Sequence, residues 1–120
     1  MKEVKKFEDL KGCTLVAVDN ALGDLLQLTL DDGRSFKLYH EQDCCETVTI
    51  EEVVGELDDL LNSPLVLAEE VSDEGWDADA GGDHVTWTFY KLATIKGAVT
   101  IRWYGTSNGY YSESVDFGPV

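Results

Sequence analysis

Apolar residues alternate with polar ones over Leu26, Leu28 and Leu30, and again over Phe36 and Leu38, with Gln27, Thr29, Lys37 and Tyr39 between them. A period of two gives a β-strand one apolar face. Thr14 to Val18, rich in β-branched residues, predicts a strand before these two, and Asn20 to Asp24 and Asp31-Asp-Gly33 supply the turns. The three segments predict an antiparallel meander, preceded by a helical turn from Phe7 that ends at Gly12. The period then changes. Ile50, Val53, Val54, Leu57, Leu60 and Leu61 fall at helical spacing, and Thr49 with Glu52 three residues on forms a capping box. This predicts one amphipathic helix, with Glu51, Glu52, Glu56, Asp58 and Asp59 toward solvent and a stop at Asn62 and Pro64.

Beyond it, Leu65 to Ala68 predicts a short buried strand, and Val71 to Asp83, with three glycines, five acids and Trp76, a mobile acidic loop. Val85, Trp87 and Phe89 alternate with Thr86, Thr88 and Tyr90, and Val99, Ile101 and Trp103 with Thr100, Arg102 and Tyr104. The pair predicts a long hairpin turning near Ile95-Lys-Gly97; a further turn at Gly105 to Gly109 leads to a last strand, Tyr110 to Phe117. The expectation is an α+β fold: a strongly bent antiparallel sheet or partly closed β-barrel of about seven strands, with the one amphipathic helix against it.

A length of 120 residues fits a single domain that buries a core without a metal or disulfide staple. Lys2, Lys5 and Lys6 are followed by no apolar run, and no stretch of about eighteen apolar residues occurs, so the chain is expected in the cytoplasm and not at a membrane. Cys13, Cys44 and Cys45 read as free thiols of a reducing compartment, with a redox role for the adjacent pair as the sharper alternative.

Charge changes the picture more than size does. The net charge is -15, and it arises in one segment: Leu38 to Tyr90 contains fifteen acids and no Lys or Arg, whereas the remainder has nine acids against nine bases. Such a segment repels phosphates and disfavours direct nucleic-acid binding, but it suits a basic protein partner or a solvated face.

Two constellations carry candidate chemistry. His40, Asp43, Cys44, Cys45 and Glu46 gather between a strand and the predicted helix. They lack the paired ligand spacing of a structural zinc site, and the surrounding negative charge disfavours a thiolate nucleophile. The second runs from Arg102 through Tyr104, Ser107, Asn108, Tyr110 and Tyr111 to Glu113. Small residues, hydroxyls and tyrosines have the chemistry of a recognition loop, and Arg102 is available to a ligand phosphate or to an internal carboxylate such as Glu113. No phosphate-binding loop, dinucleotide fingerprint or nucleophile elbow occurs, so no catalytic residue, metal or cofactor is expected.

The strings His40-Glu-Gln-Asp-Cys-Cys-Glu46, Leu57-Asp-Asp-Leu-Leu-Asn-Ser-Pro-Leu65, Thr86-Trp-Thr-Phe-Tyr-Lys91, Ala93-Thr-Ile-Lys-Gly97 and Ser107-Asn-Gly-Tyr-Tyr-Ser-Glu-Ser114 resemble an uncharacterised family of short bacteriophage and prophage proteins, over most of residues 25 to 117. The resemblance implies an accessory protein in a host bacterial cytoplasm that modulates or counters a host defence system. The leading expectation is a binding protein that sequesters a small nucleotide-like ligand between the two constellations. The alternative is an acidic, nucleic-acid-mimicking inhibitor of a basic host protein; the third is a metal- or thiol-dependent enzyme. Exposed strand edges leave a homodimer open.

Overall fold

Strict alternation becomes strict sidedness in the first part of the chain. In a computed structural model, which describes residues 2–42, 45–77, 83–109 and 111–120, strand β2 (Leu25–Leu30) buries Leu26, Leu28 and Leu30, and β3 (Ser35–Tyr39) buries Phe36 and Leu38. With β1 (Leu15–Leu22) they form the predicted antiparallel meander, and β8 (Asp116–Pro119) pairs with β3 to complete a sheet of order β1-β2-β3-β8. The 3-10 turn Phe7–Leu10 stands where a helical turn is expected, its entry tied down by Asp9, whose carboxylate accepts the backbone N–H groups of Lys5 and Lys6. Those bonds hold the Asp9 carboxyl below the usual range.

The second sheet has the order β4-β7-β6-β5, all antiparallel, from β4 (Thr47–Val54), β5 (Leu67–Asp77), β6 (Asp83–Thr94) and β7 (Gly97–Ser107). Leu26, Leu28, Leu30, Phe36 and Leu38 of the first sheet share one core with Val48, Tyr90, Leu92, Val99, Ile101 and Trp103 of the second. Phe7 bridges the two, edge-on to Tyr90 at 4.7 Å and to Phe117 at 5.9 Å. The architecture is therefore all-β: two four-stranded sheets with β1 and β8, and β4 and β5, as their edge strands, not a closed barrel and not α+β. Among the described residues, no helix is long and apolar enough to cross a membrane.

The predicted amphipathic helix is the principal correction. Its first half is strand β4, paired with β7, and its second half is the 3-10 turn Leu57–Leu60. The helical spacing has a specific origin. Val48 and Ile50 pair with Gly105 and Trp103, the register then shifts so that Glu51 is passed over, and Val53 pairs with Ile101. That β-bulge moves the inward positions from a spacing of two to a spacing of three. The 3-10 turn, also with a period of three, buries Leu60 and half-buries Leu57, so a bulged strand followed by a 3-10 turn imitates a helix. Thr49 and Glu52, read as a capping box, sit in the ladder opposite Tyr104 and Arg102.

Two smaller corrections follow. The segment read as a mobile loop from Val71 is an edge strand as far as Asp77, in register with β6 from Leu67↔Ala93 to Asp77↔Asp83; residues 78–82 lie outside the described residues. The last strand starts at Asp116, and Tyr111 to Val115 crosses between the sheets without joining either.

Candidate functional site

The hairpin β6–β7 turns at Thr94↔Gly97, and this fixes which side chains share a face. Thr86 lies opposite Gly105, Thr88 opposite Trp103 and His84 opposite Ser107, all on the inner face with Tyr90 and Ile101. The inner face is thus apolar at the Tyr90 end and polar from Thr88 outward. Strands β5, β6 and β7 run to 11, 12 and 11 residues, whereas β2, β3 and β8 have 6, 5 and 4. The first sheet is too short to cover the second. Tyr111 to Val115 forms part of the wall over the polar end and leaves a hollow of about 340 Å³, whose other walls include Glu70, Ser72, Glu74, His84, Thr86 and Thr88.

Glu113 anchors that segment. Its side chain is 3 % exposed, and its Oε1 accepts from His84 Nδ1 and Thr86 Oγ1, each at 2.7 Å, while Oε2 accepts from the Ser107 hydroxyl. Three donors offset the desolvation that burying a carboxylate costs. Gly105 makes this approach possible: a Cβ there would lie 2.9 Å from Glu113 Cβ and 3.0 Å from its carbonyl oxygen. Because a carboxylate only accepts, His84 Nδ1 carries the proton of that bond, which leaves Nε2 for a ligand or a water.

Against His84, one of the lining residues, stands Trp76, 68 % exposed. Its ring lies edge-on to His84 at 5.1 Å, and it passes so close to Gly109 (φ +92°) that a Cβ there would meet the indole at 2.6 Å. An exposed indole held between an imidazole and a glycine is a pre-set contact surface.

A second hollow, about 470 Å³, is lined by His40, Glu41, Gln42, Ser112, Ser114 and Asp116. Ser112 and Ser114 line both. His40 Nδ1 donates to the Ser114 carbonyl at 2.7 Å, and its Nε2 lies 3.6 Å from Glu46 Oε2, beyond an ordinary hydrogen bond. Gln42 donates to both the Glu46 carbonyl and its Oε1 at 2.7 Å, and the Glu41 N–H reaches Asp116 at 3.2 Å. The first constellation therefore meets the segment that ends and follows the second: His40 and Glu41 bond Ser114 and Asp116, and Ser112 is the member of the second that lines the shared hollow.

Not every expected site residue is brought in. Tyr111 and Glu113 line the first hollow, Ser107 stands behind it as a donor to Glu113, and His40 lines the second with Glu46 beside it. Asn108 is exposed in the turn after β7. Arg102 and Tyr104 alternate with buried Trp103 and so face outward, on the far side of the sheet from Glu113. Arg102 is engaged there by Glu51 at 2.7 Å and Glu52 at 3.0 Å, not by Glu113. Cys45 is exposed and disulfide-bonded, which corrects the expectation of free thiols throughout; Cys13 is the free cysteine among the described residues. Asp43, Cys44 and Tyr110 lie outside the described residues. Sequence reasoning passed over His84, Thr86, Thr88 and Trp76. The available signal was the Thr86, Thr88, Tyr90 alternation, which marks a face but does not say that it points inward.

Among the described residues, no group of three or more His, Cys, Asp or Glu side chains is placed to hold a metal ion. Residues 6–117 match the model of a family described as a domain of unknown function. No curated protein and no solved structure matches the chain.

Proposed function

The chain thus belongs to the DUF7448 family, whose function is unknown, and we propose from its own side chains that it is a binding protein, holding a small polar organic ligand in the hollow beneath Tyr111 to Val115. The observation that carries this reading is the exposed Trp76 ring fixed beside an imidazole that a buried carboxylate orients. A flat apolar face next to directed hydrogen-bonding groups, set before the ligand arrives, is how small-molecule sites combine affinity with orientation.

The sign of the charge narrows the ligand class. Among the described residues that line the two hollows there is no Lys or Arg, while Glu70, Glu74, Glu41 and Asp116 contribute carboxylates. A phosphate entering either hollow would meet repulsion with no cation to offset it. The nucleotide expectation therefore contracts to its nucleoside part: a planar or cyclic group, neutral or positively charged, that stacks on Trp76 and donates hydrogen bonds to the walls. The resemblance to short phage and prophage proteins supports a setting in which such binding withdraws a small ligand from a host system, a role that needs occupancy and no turnover.

Isothermal calorimetry decides the matter with a panel of nucleosides, their mono- and diphosphates, cyclic dinucleotides, neutral sugars and amines. A neutral or cationic ligand binds, each added phosphate weakens it, and Trp76→Ala, at an exposed position, lowers affinity by about tenfold or more with little change in melting temperature. Affinity that climbs with phosphate number, or silence across the whole panel, overturns the proposal.

A further inference from the structure

The outer face of the second sheet is the other surface whose composition asks for an occupant. Cross-strand pairing places Tyr104 beside Trp87, and Phe89 beside Val71, on that face. Trp87 and Tyr104 tilt against each other at 5.5 Å, all three aromatic rings are only half-buried, and Val71 is 37 % exposed. An antiparallel sheet turns its outward face to water most readily when that face is polar; here its centre is aromatic.

Both margins of this aromatic centre are acidic. Asp73 pairs with Trp87 and Glu69 with Lys91 along β5, and Glu51 and Glu52 border it along β4. The face already holds one guanidinium of its own: Arg102, in register with Phe89, sits on the carboxylates of Glu51 and Glu52. The opposite margin, at Asp73, combines a carboxylate with the adjacent Trp87 and Tyr104 rings in the same way. A cation placed there would gain ring-face attraction and Coulomb attraction together.

We infer that this outer face docks a basic segment of a partner protein, its Arg or Lys side chains on Asp73 and the Trp87–Tyr104 pair and its apolar side chains on Phe89 and Val71. Charge complementarity selects this occupant. A second copy of the chain, at net charge -15, would bring Glu69 and Asp73 against acids of the same face, and a nucleic acid would bring phosphates. The inference does not depend on the hollow: the two surfaces lie on opposite faces of one sheet, and Trp76→Ala alters only the inner one.

The test uses the isotope-labelled full chain and a short synthetic peptide of alternating arginine and leucine as probe. Titration is expected to shift the Trp87 indole and the Val71, Phe89 and Tyr104 resonances. Asp73→Lys, an exposed substitution, weakens binding about tenfold, and Trp87→Ser gives a second reading of the same face; Asp58→Lys, the same charge change on the 3-10 turn, costs less than about twofold. Equal weakening by the two lysine variants would reduce the effect to net charge and overturn the inference. So would peptide-induced shifts confined to other residues, or shifts on this face that follow protein concentration without peptide, which assign it to a second copy.

Discussion

Glu113 stands in the chain between two serines, where nothing marks it out from the other acids. Its role comes from three donors supplied by His84, Thr86 and Ser107, and His84 and Thr86 lie more than twenty-five residues away. Tyr90 was visible as one member of an alternating strand, but not as a phenol at 0 % exposure. Burial, reinforced by the neighbouring Glu70 carboxylate, pushes its pKa well above the ordinary 10.0. For an acid whose folded pKa is raised, the folded state retains a proton that the unfolded chain has lost. The stabilisation is complete below pH 10 and declines above it. Tyr90→Phe is therefore expected to flatten the alkaline loss of stability, which this residue steepens by up to about 1.4 kcal/mol per pH unit above roughly pH 10. Urea unfolding of both proteins between about pH 8 and pH 11 measures it; parallel slopes would remove the phenol as the cause.

At the level of elements, local pattern sufficed wherever strands ran without interruption. The meander β1-β2-β3 and the hairpin β6–β7 lie where alternation and turn residues predict them. The same reading failed at β4, because one extra residue breaks the period that identifies a strand. Glu51 is that residue, and its effect on phase is open to test. Deleting it restores uniform alternation, with Ile50, Glu52 and Val53 opposite Trp103, Arg102 and Ile101, so that Glu52 stays outward and Val53 inward. The deletion is therefore expected to leave the fold intact and to cost less than about 1 kcal/mol, the worth of the half-exposed Glu51–Arg102 ion pair. A loss of about 3 kcal/mol or more in chemical denaturation would show that the strand cannot run without the extra residue. The acidic segment from Val71 was misread for a related reason. Edge strands are protected by charges, so β5 has the composition of a loop and the pairing of a strand.

For the whole molecule, a net charge of -15 on 120 residues means that self-repulsion is present under all near-neutral conditions. Raising NaCl from about 0.02 M to about 0.3 M shortens the screening length severalfold, and the melting temperature is expected to rise by roughly 3–6 °C. A fall under calorimetry would mean that the ion pairs Arg102–Glu51, Arg102–Glu52 and Arg34–Asp32 outweigh the repulsion. The charge, its confinement to the middle of the chain, the β-rich character and most strand positions belong to the sequence alone. They rest on composition and on contacts between near neighbours, which a period of two records. What only the tertiary structure decided is sidedness over distance. Cross-strand register sent Arg102 and Tyr104 outward and His84 and Thr86 inward, and unequal strand lengths left a polar end that Tyr111 to Val115 walls in. Neither is written in any local window, because both are set by which residues meet across the sheets, and that depends on the chain as a whole.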